Sequence, residues 1–240
     1  MDFPEFRCFA EVERLEPGDL VLSLEESRHL LQARRAVSGT EVMILNGRGD
    51  RATGTLSHCG KKEAVISVRQ VGRIPPPAPS LTLFVGGLKQ SAWDEVLRYA
   101  GELGVNRLVW LQSDYAVAEL KEDRIADKKR RWRDKMIQSL KQCGNPHLPE
   151  VSVCFSLEES LRVGGSRFVA ALYGNPAPAS EALSASRGAD LHIWIGPEGD
   201  FSPREYALLA EAGVSPMSLG PRILRAETAV LAIATLVRMG

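Results

Sequence analysis

Short runs of β-type residues at 19–24, 41–45, 51–56 and 64–71 alternate with turn signals, Asn46-Gly47 and Asp50 lying between two of them. That spacing predicts a small barrel over residues 1–72. A helical period appears there once, at 25–35, with Ser23 as its N-cap and Arg28, His29, Arg34 and Arg35 along it. Beyond residue 80 the pattern changes. Apolar runs at 81–85, 107–111, 168–172 and 191–195 alternate with helical segments at 92–103, 128–142, 203–212 and 227–239, and a weaker one at 157–163. Strands alternating with helices predict an α/β domain with a parallel sheet over 81–240. Between the two patterns, Arg73-Ile74-Pro75-Pro76-Pro77-Ala78-Pro79-Ser80 cannot continue a helix or a central strand, so 73–80 is expected to be a linker.

Composition narrows the possibilities without choosing among them. With 44% hydrophobic and 25% charged residues in 240, the chain can bury a core in two domains. Its formal net charge is zero, which excludes a uniformly basic polyanion binder and requires any nucleic-acid contact to be a local patch. Cys8, Cys59, Cys143 and Cys154 form no CxxC pair, and Met-Asp-Phe-Pro-Glu-Phe lacks a basic region followed by an apolar stretch. A reduced, cytoplasmic protein is expected. No apolar run approaches the roughly 20 residues of a membrane-spanning helix, so no membrane partner is expected.

Two turns carry the candidate chemistry. Ile195-Gly196-Pro197-Glu198-Gly199-Asp200-Phe201 and Leu219-Gly220-Pro221-Arg222-Ile223-Leu224-Arg225-Ala226-Glu227-Thr228-Ala229 each read as glycine- and proline-bearing turns just after an apolar strand. There, backbone amides can approach a small ligand closely. Gly196-Pro197-Glu198-Gly199 alone also fits an ordinary tight turn. Its context favours more: His192-Ile193-Trp194-Ile195 precedes it, and Ser202-Pro203-Arg204-Glu205 then opens a helix with a capping serine, proline at N1 and an acid at N3.

Other ligand motifs fail on spacing. Gly86-Gly87 is not GxGxxG, and neither GxxxxGK[ST] nor GxSxG occurs. His29, His58, His147 and His192 are scattered, so no metal is expected, and His192 reads as a satisfied core residue. The densest positive stretch is Lys128-Lys129-Arg130-Arg131-Trp132-Arg133-Asp134-Lys135, with Lys141 later on the same helix. It is either a solvated helix face or a phosphate-tracking surface around a tryptophan, with RNA the natural partner.

The segments IGPEGDFS and LGPRILRAETAVLAI resemble the carboxyl-terminal signature of the ribosomal RNA small subunit methyltransferase E family. Leu88-Lys89, Glu102-Leu103-Gly104-Val105, Gln142-Cys143-Gly144 and Leu148-Pro149-Glu150-Val151 extend the likeness over the second half. It is weaker at Arg7-Cys8-Phe9 and Arg28-His29-Leu30. The resemblance implies a PUA-like barrel joined to a SPOUT-type α/β domain whose carboxyl end forms a trefoil knot. It implies a homodimer that transfers a methyl group from S-adenosylmethionine to N3 of a uridine in small-subunit ribosomal RNA, either free or in the assembled subunit.

Three loops would then hold the methyl donor: Leu172-Tyr173-Gly174; Ile195, Gly196, Pro197, Glu198 and Gly199; and Leu219, Gly220, Ile223 and Leu224. Glu227 would act as base, with Arg225 or Arg222 facing the negative charge on the uracil oxygens. Glu227 could instead only favour the first turn of the last helix, and the arginines could bind phosphate or the donor's carboxylate. RNA would meet Arg28, Arg34, Arg35, Lys89, Lys128, Lys129, Arg130, Arg131 and Arg133. Ala92, Tyr99, Tyr115 and Asn145 stand where the family tends to carry basic residues. That loss leaves open a different RNA target; a third reading, an RNA-binding ribosome-assembly factor without catalysis, is opposed by the intact donor loops.

Overall fold

The computed structural model describes residues 4–60, 63–171, 176–186 and 188–239. The chain divides into two compact units, one of Met1–Pro76 with Ile137–Leu148, the other of Pro77–Met136 with Pro149–Gly240.

In the first unit, β1 (Phe6–Phe9), β2 (Gly18–Val21), β3 (Glu41–Leu45), β4 (Asp50–Cys59) and β5 (Ala64–Arg73) form a sheet in the order β1-β3-β4-β5-β2. Its ladders are antiparallel except for β1 on β3. Alternating residues of β4, such as Ala52 and Leu56, meet Cys8, Ile44 and Ile66 in one core. The expected helix at 25–35 is shorter and changes character. Ser23 does cap it, accepting from Glu26 N–H at 3.2 Å, but α1 (Leu24–Arg28) gives way to a π-helical turn over His29–Ala33.

Residues 137–148 continue the long helix α3 (Ile125–Cys143) into this unit. Ile137, Leu140 and Leu148 are apolar on the face that meets Phe9, Met43 and Leu45, which explains why the segment packs here and not with the parallel sheet. Lys141 is therefore no part of an exposed basic surface. It is 6% exposed and lies 2.6 Å from Glu26, whose other oxygen accepts from Phe9 N–H at 3.0 Å.

The second unit is built on β6 (Leu81–Gly86), β7 (Arg107–Leu111), β8 (Glu150–Cys154), β9 (Ser166–Ala170), β10 (Ala177–Pro178), β11 (Leu191–Ile195) and β12 (Ser215–Ser218). They form one parallel sheet in the order β10-β12-β9-β11-β6-β7-β8. On one face Phe84, Val109 and Trp194 pack with α4 (Leu157–Ser160) and α6 (Pro203–Glu211) through Leu157 and Leu209. On the other lie α2 (Gln90–Glu102) and α7 (Ala226–Met239), which pack on one another. A short α5 (Ala179–Ala185) completes the unit.

Two expectations are overturned by burial. Trp132 is 1% exposed, and its ring stacks 5.7 Å from Trp110 in a cluster with Trp93, so it is core and cannot serve a phosphate-tracking surface. The side chain of His192 is not satisfied: its buried Nδ1 has no hydrogen-bond partner among the described residues, and burial lowers its pKa. The strand before Leu219 is also not apolar throughout. In Ser215-Pro216-Met217-Ser218 only Met217 is buried, and the apolar Pro216 on the opposite face is exposed.

Candidate active site at the carboxyl edge of the parallel sheet

In a parallel sheet all strands end on one edge, and the end of β9 and the loops that follow β6, β11 and β12 share it. A cleft of about 760 Å³ opens there. Its floor is strand-end backbone, at Ala170 and Ile195, and its walls are the turns 196–200 and 219–225 with the first turns of α2 and α7.

The first turn is fastened on every side. Asp200, at φ 63°, donates its N–H to Pro197 O at 2.9 Å, and its carboxylate accepts from Phe201 N–H and the Tyr206 hydroxyl at 2.8 and 2.9 Å. Ser202 then starts α6 with a capping box, in which Ser202 N–H donates to Glu205 at 2.8 Å and Glu205 N–H returns to Ser202 Oγ at 3.2 Å. Glu205 is 1% exposed and accepts a further N–H, from Asp114, at 3.0 Å. A Cβ on Gly86 would lie 2.5 Å from Pro197 Cδ, so only glycine lets β6 and this turn meet.

The second turn is anchored at its ends. Gly220, at φ 114°, donates its N–H to Ser218 Oγ at 3.1 Å. At the far end, Ala229 N–H reaches Arg225 O at 2.9 Å. Between them Ile223 is 84% exposed.

The structure brings most of the expected residues together. Ile195, Gly196, Pro197, Glu198, Leu219, Ile223 and Leu224 line the cleft, as do Arg222, Arg225 and Glu227. Gly199 and Gly220 do not line it: Gly199 sits against Tyr115 and Gly220 in the bend of the second turn. Leu172, Tyr173 and Gly174 lie outside the described residues. Lys89, expected on the RNA, also lines the cleft and precedes the first turn of α2.

The remaining cations lie elsewhere. On the first turns of α3, Lys129, Arg130 and Arg131 are exposed, Arg130 pairing with Asp127 at 3.2 Å. Lys128 and Arg133 are half-buried, Lys128 donating to Gln90 at 2.9 Å. In the first unit Arg28, Arg34 and Arg35 are exposed, with Arg34 3.5 Å from Glu5 and over the Phe6 ring.

Sequence reasoning missed Glu95 and Asp200 as cleft residues. Asp200 stood inside the first motif, and Glu95 is one helical turn beyond Ala92, so the positions were readable. Glu95 is held well below the usual carboxylate range by the hydrogen bond from Arg98, and it brings a fixed negative charge to the wall. Among the described residues no group of His, Cys, Asp and Glu could hold a metal ion, and no helix is long and apolar enough to cross a membrane.

The geometry is that of a ligand-binding α/β domain whose cleft mixes apolar walls with arginines and carboxylates. The RNA methyltransferase domain family matches residues 75–238, and the RNA methyltransferase PUA domain matches 22–69. The chain belongs to the RNA methyltransferase family. It is 26% identical over 214 residues to the ribosomal RNA small subunit methyltransferase E of Mycobacterium tuberculosis, covering 87% of this chain and 82% of that one. The Synechocystis protein of the same name is 25% identical over 232 residues, 93% of this chain and 74% of its own. Among solved structures, the ribosomal RNA small subunit methyltransferase E of Neisseria gonorrhoeae bound to S-adenosyl methionine superposes with a TM-score of 0.85, at 23% identity, over 99% of this chain and 98% of the other.

Proposed function

We propose that this chain is a cytoplasmic homodimer that transfers a methyl group from S-adenosylmethionine to N3 of a uridine in small-subunit ribosomal RNA. The observation that carries this reading is the meeting of both glycine-proline turns with Arg222, Arg225 and Glu227 in one cleft.

The cleft fits the donor. Its volume of about 760 Å³ falls within the ~300–1,000 Å³ of small-molecule sites. Ile195, Leu219 and Leu224 offer apolar surface to a flat base, and the turn backbone offers amides and carbonyls to its edges. Leu172, Tyr173 and Gly174 are assigned to the same site by the family likeness. When bound, S-adenosylmethionine supplies a methyl group made electrophilic by its sulfonium.

The protein's own residues must make N3 of uridine nucleophilic, which requires removal of its proton. Glu227 is the carboxylate that accepts it, because it lines the cleft beside Arg222 and Arg225. Arg225 and Arg222 set positive charge where the uracil oxygens gain negative charge. The exposed cations of α3, with Lys128, Arg133 and Lys89, and in the first unit Arg28, Arg34 and Arg35, are the proposed phosphate contacts.

Two further points rest on α7. Leu231, Leu236 and Met239 are exposed along it, an apolar stripe that supports burial against a second copy. The helix returns across β6 and β11 after β12, which supports a threaded carboxyl end.

Calorimetric titration with S-adenosylmethionine, followed by mapping of small-subunit RNA from a deletion strain, tests the reading. The expected results are a heat of binding and one uridine lacking its N3 methyl group. An absent heat would favour the non-catalytic RNA binder, and a missing methyl group on another RNA would favour a changed target.

A further inference from the structure

Beside the cleft, the turn Ser113-Asp114-Tyr115-Ala116 holds an aromatic ring in solvent on a rigid support. Ala116 N–H closes the turn on Ser113 O at 3.1 Å, and Val117 N–H ties its exit to Gly87 O at 3.0 Å. Asp114 anchors the middle: its N–H donates to Glu205, and its carboxylate accepts from Ser202 Oγ at 2.5 Å and from Arg204 at 2.9 Å. Tyr115 is 52% exposed even so. The base of its side chain abuts the first cleft turn, since a Cβ on Gly199 would stand 3.2 Å from Tyr115 Cβ.

Exposed aromatics scattered singly need no explanation. This one sits on a turn fastened on several sides, and Phe155, 41% exposed, opens the loop after the neighbouring strand β8. An amphipathic ring fixed beside the Gly199 turn, next to the cleft-lining Glu198, loses little entropy on binding and offers a π-face. Unpaired RNA bases are held on such faces, whereas phosphates are held by cations.

We propose that Tyr115 is a stacking platform for an unpaired base of the RNA next to the nucleotide that enters the cleft. The proposal rests on the methyltransferase reading above and adds an RNA-positioning residue to it. The contact is to a base, so its strength does not depend on counterion release, unlike that of the α3 cations.

The test uses the full chain and a single-stranded RNA carrying a uridine flanked by 2-aminopurine, whose fluorescence falls when it stacks. Quenching is expected with wild type and with Tyr115→Phe and is expected to be lost with Tyr115→Ala. KM for small-subunit RNA is expected to rise about tenfold in Tyr115→Ala, within the range of one stacked base, with S-adenosylmethionine affinity unchanged. The slope of log affinity against log salt should stay constant in Tyr115→Ala and steepen by about 0.7 in Tyr115→Arg.

Unaltered quenching and KM in Tyr115→Ala, with wild type active, overturn the platform alone. Lost donor affinity in Tyr115→Ala also overturns it, because the ring would then act through the Gly199 turn. A wild-type chain that neither binds the donor nor methylates RNA overturns the methyltransferase reading, and this proposal with it.

Discussion

The two turns that enclose the cleft are made differently. The turn after β11 is held by hydrogen bonds at its closure and exit: Asp200 closes it, Tyr206 and Phe201 hold Asp200, and the Ser202–Glu205 capping box fixes its exit. The turn after β12 is held at Gly220 and at the start of α7, with Ile223 in solvent between. The contrast leads to an expectation: a turn closed by its own side chains should change less on donor binding than one held only at its ends. A ligand that orders a segment loses part of its binding free energy to that ordering, so the two turns should respond differently to the same perturbations.

The largest expected effect lies on the second turn's side. Glu227→Gln keeps the shape of the carboxylate but cannot take a proton, so single-turnover methylation should fall about 10²–10⁴-fold with donor affinity retained. A wild-type single-turnover rate would show that Glu227 only favours the helix start.

Next in size is the packing of the first turn. Gly86→Ala places a methyl group 2.5 Å from Pro197 Cδ and 2.6 Å from Pro197 N, where backbone and not a flexible tip must yield. A loss of about 1–3 kcal/mol of stability, read from a shifted denaturation midpoint, and weaker donor binding are expected. Gly220→Ala meets nothing within 4 Å, and its penalty comes from φ 114° alone. It should destabilise by less, at about 1 kcal/mol, unless the second turn is as tightly packed as the first.

Hydrogen exchange sharpens the comparison without mutation. Adding the donor should slow exchange at 219–225 markedly and at 200–202 only slightly, because the amides of Asp200, Phe201 and Ser202 are already bonded. Equal protection of both turns would remove the proposed difference.

These contrasts were partly legible in the residues. Ser202-Pro203-Arg204-Glu205 carried the start of α6 in full, because a capping box, proline at N1 and an acid at N3 are all local signals. The long apolar strands were equally readable. β1, β8, β10 and β12 were not: polar residues interrupt Phe6-Arg7-Cys8-Phe9 and Glu150-Val151-Ser152-Val153-Cys154, β10 has two residues, and β12 has a single buried residue, Met217. The site was legible as two motifs, but their meeting depends on strand order β12-β9-β11, which no local signal encodes. Burial was the least legible property. Lys141 and Trp132 looked like an exposed basic face until Glu26 and the Trp93–Trp110 pair were found to cover them.

The smallest effect concerns the support behind the preformed turn. The hydrogen bond from Arg204, with a second from Ser202, holds Asp114 below its ordinary carboxylate range. A carboxyl group whose pKa is lower folded than unfolded binds more protons unfolded, so its contribution is complete above the unfolded value of about 3.9. It is lost as pH falls through the lower folded value. Arg204 and Asp114 are both partly open to solvent, which screens the pair and keeps the effect small. Wild type should therefore exceed Asp114→Asn in stability at about pH 6, and the gap should close below about pH 4 and narrow in high salt. If the gap persists unchanged at about pH 2, well under the unfolded carboxyl value, the Asp114 carboxylate is not what fastens this turn, and the asymmetry between the two sides of the cleft must rest on Asp200 and the capping box alone.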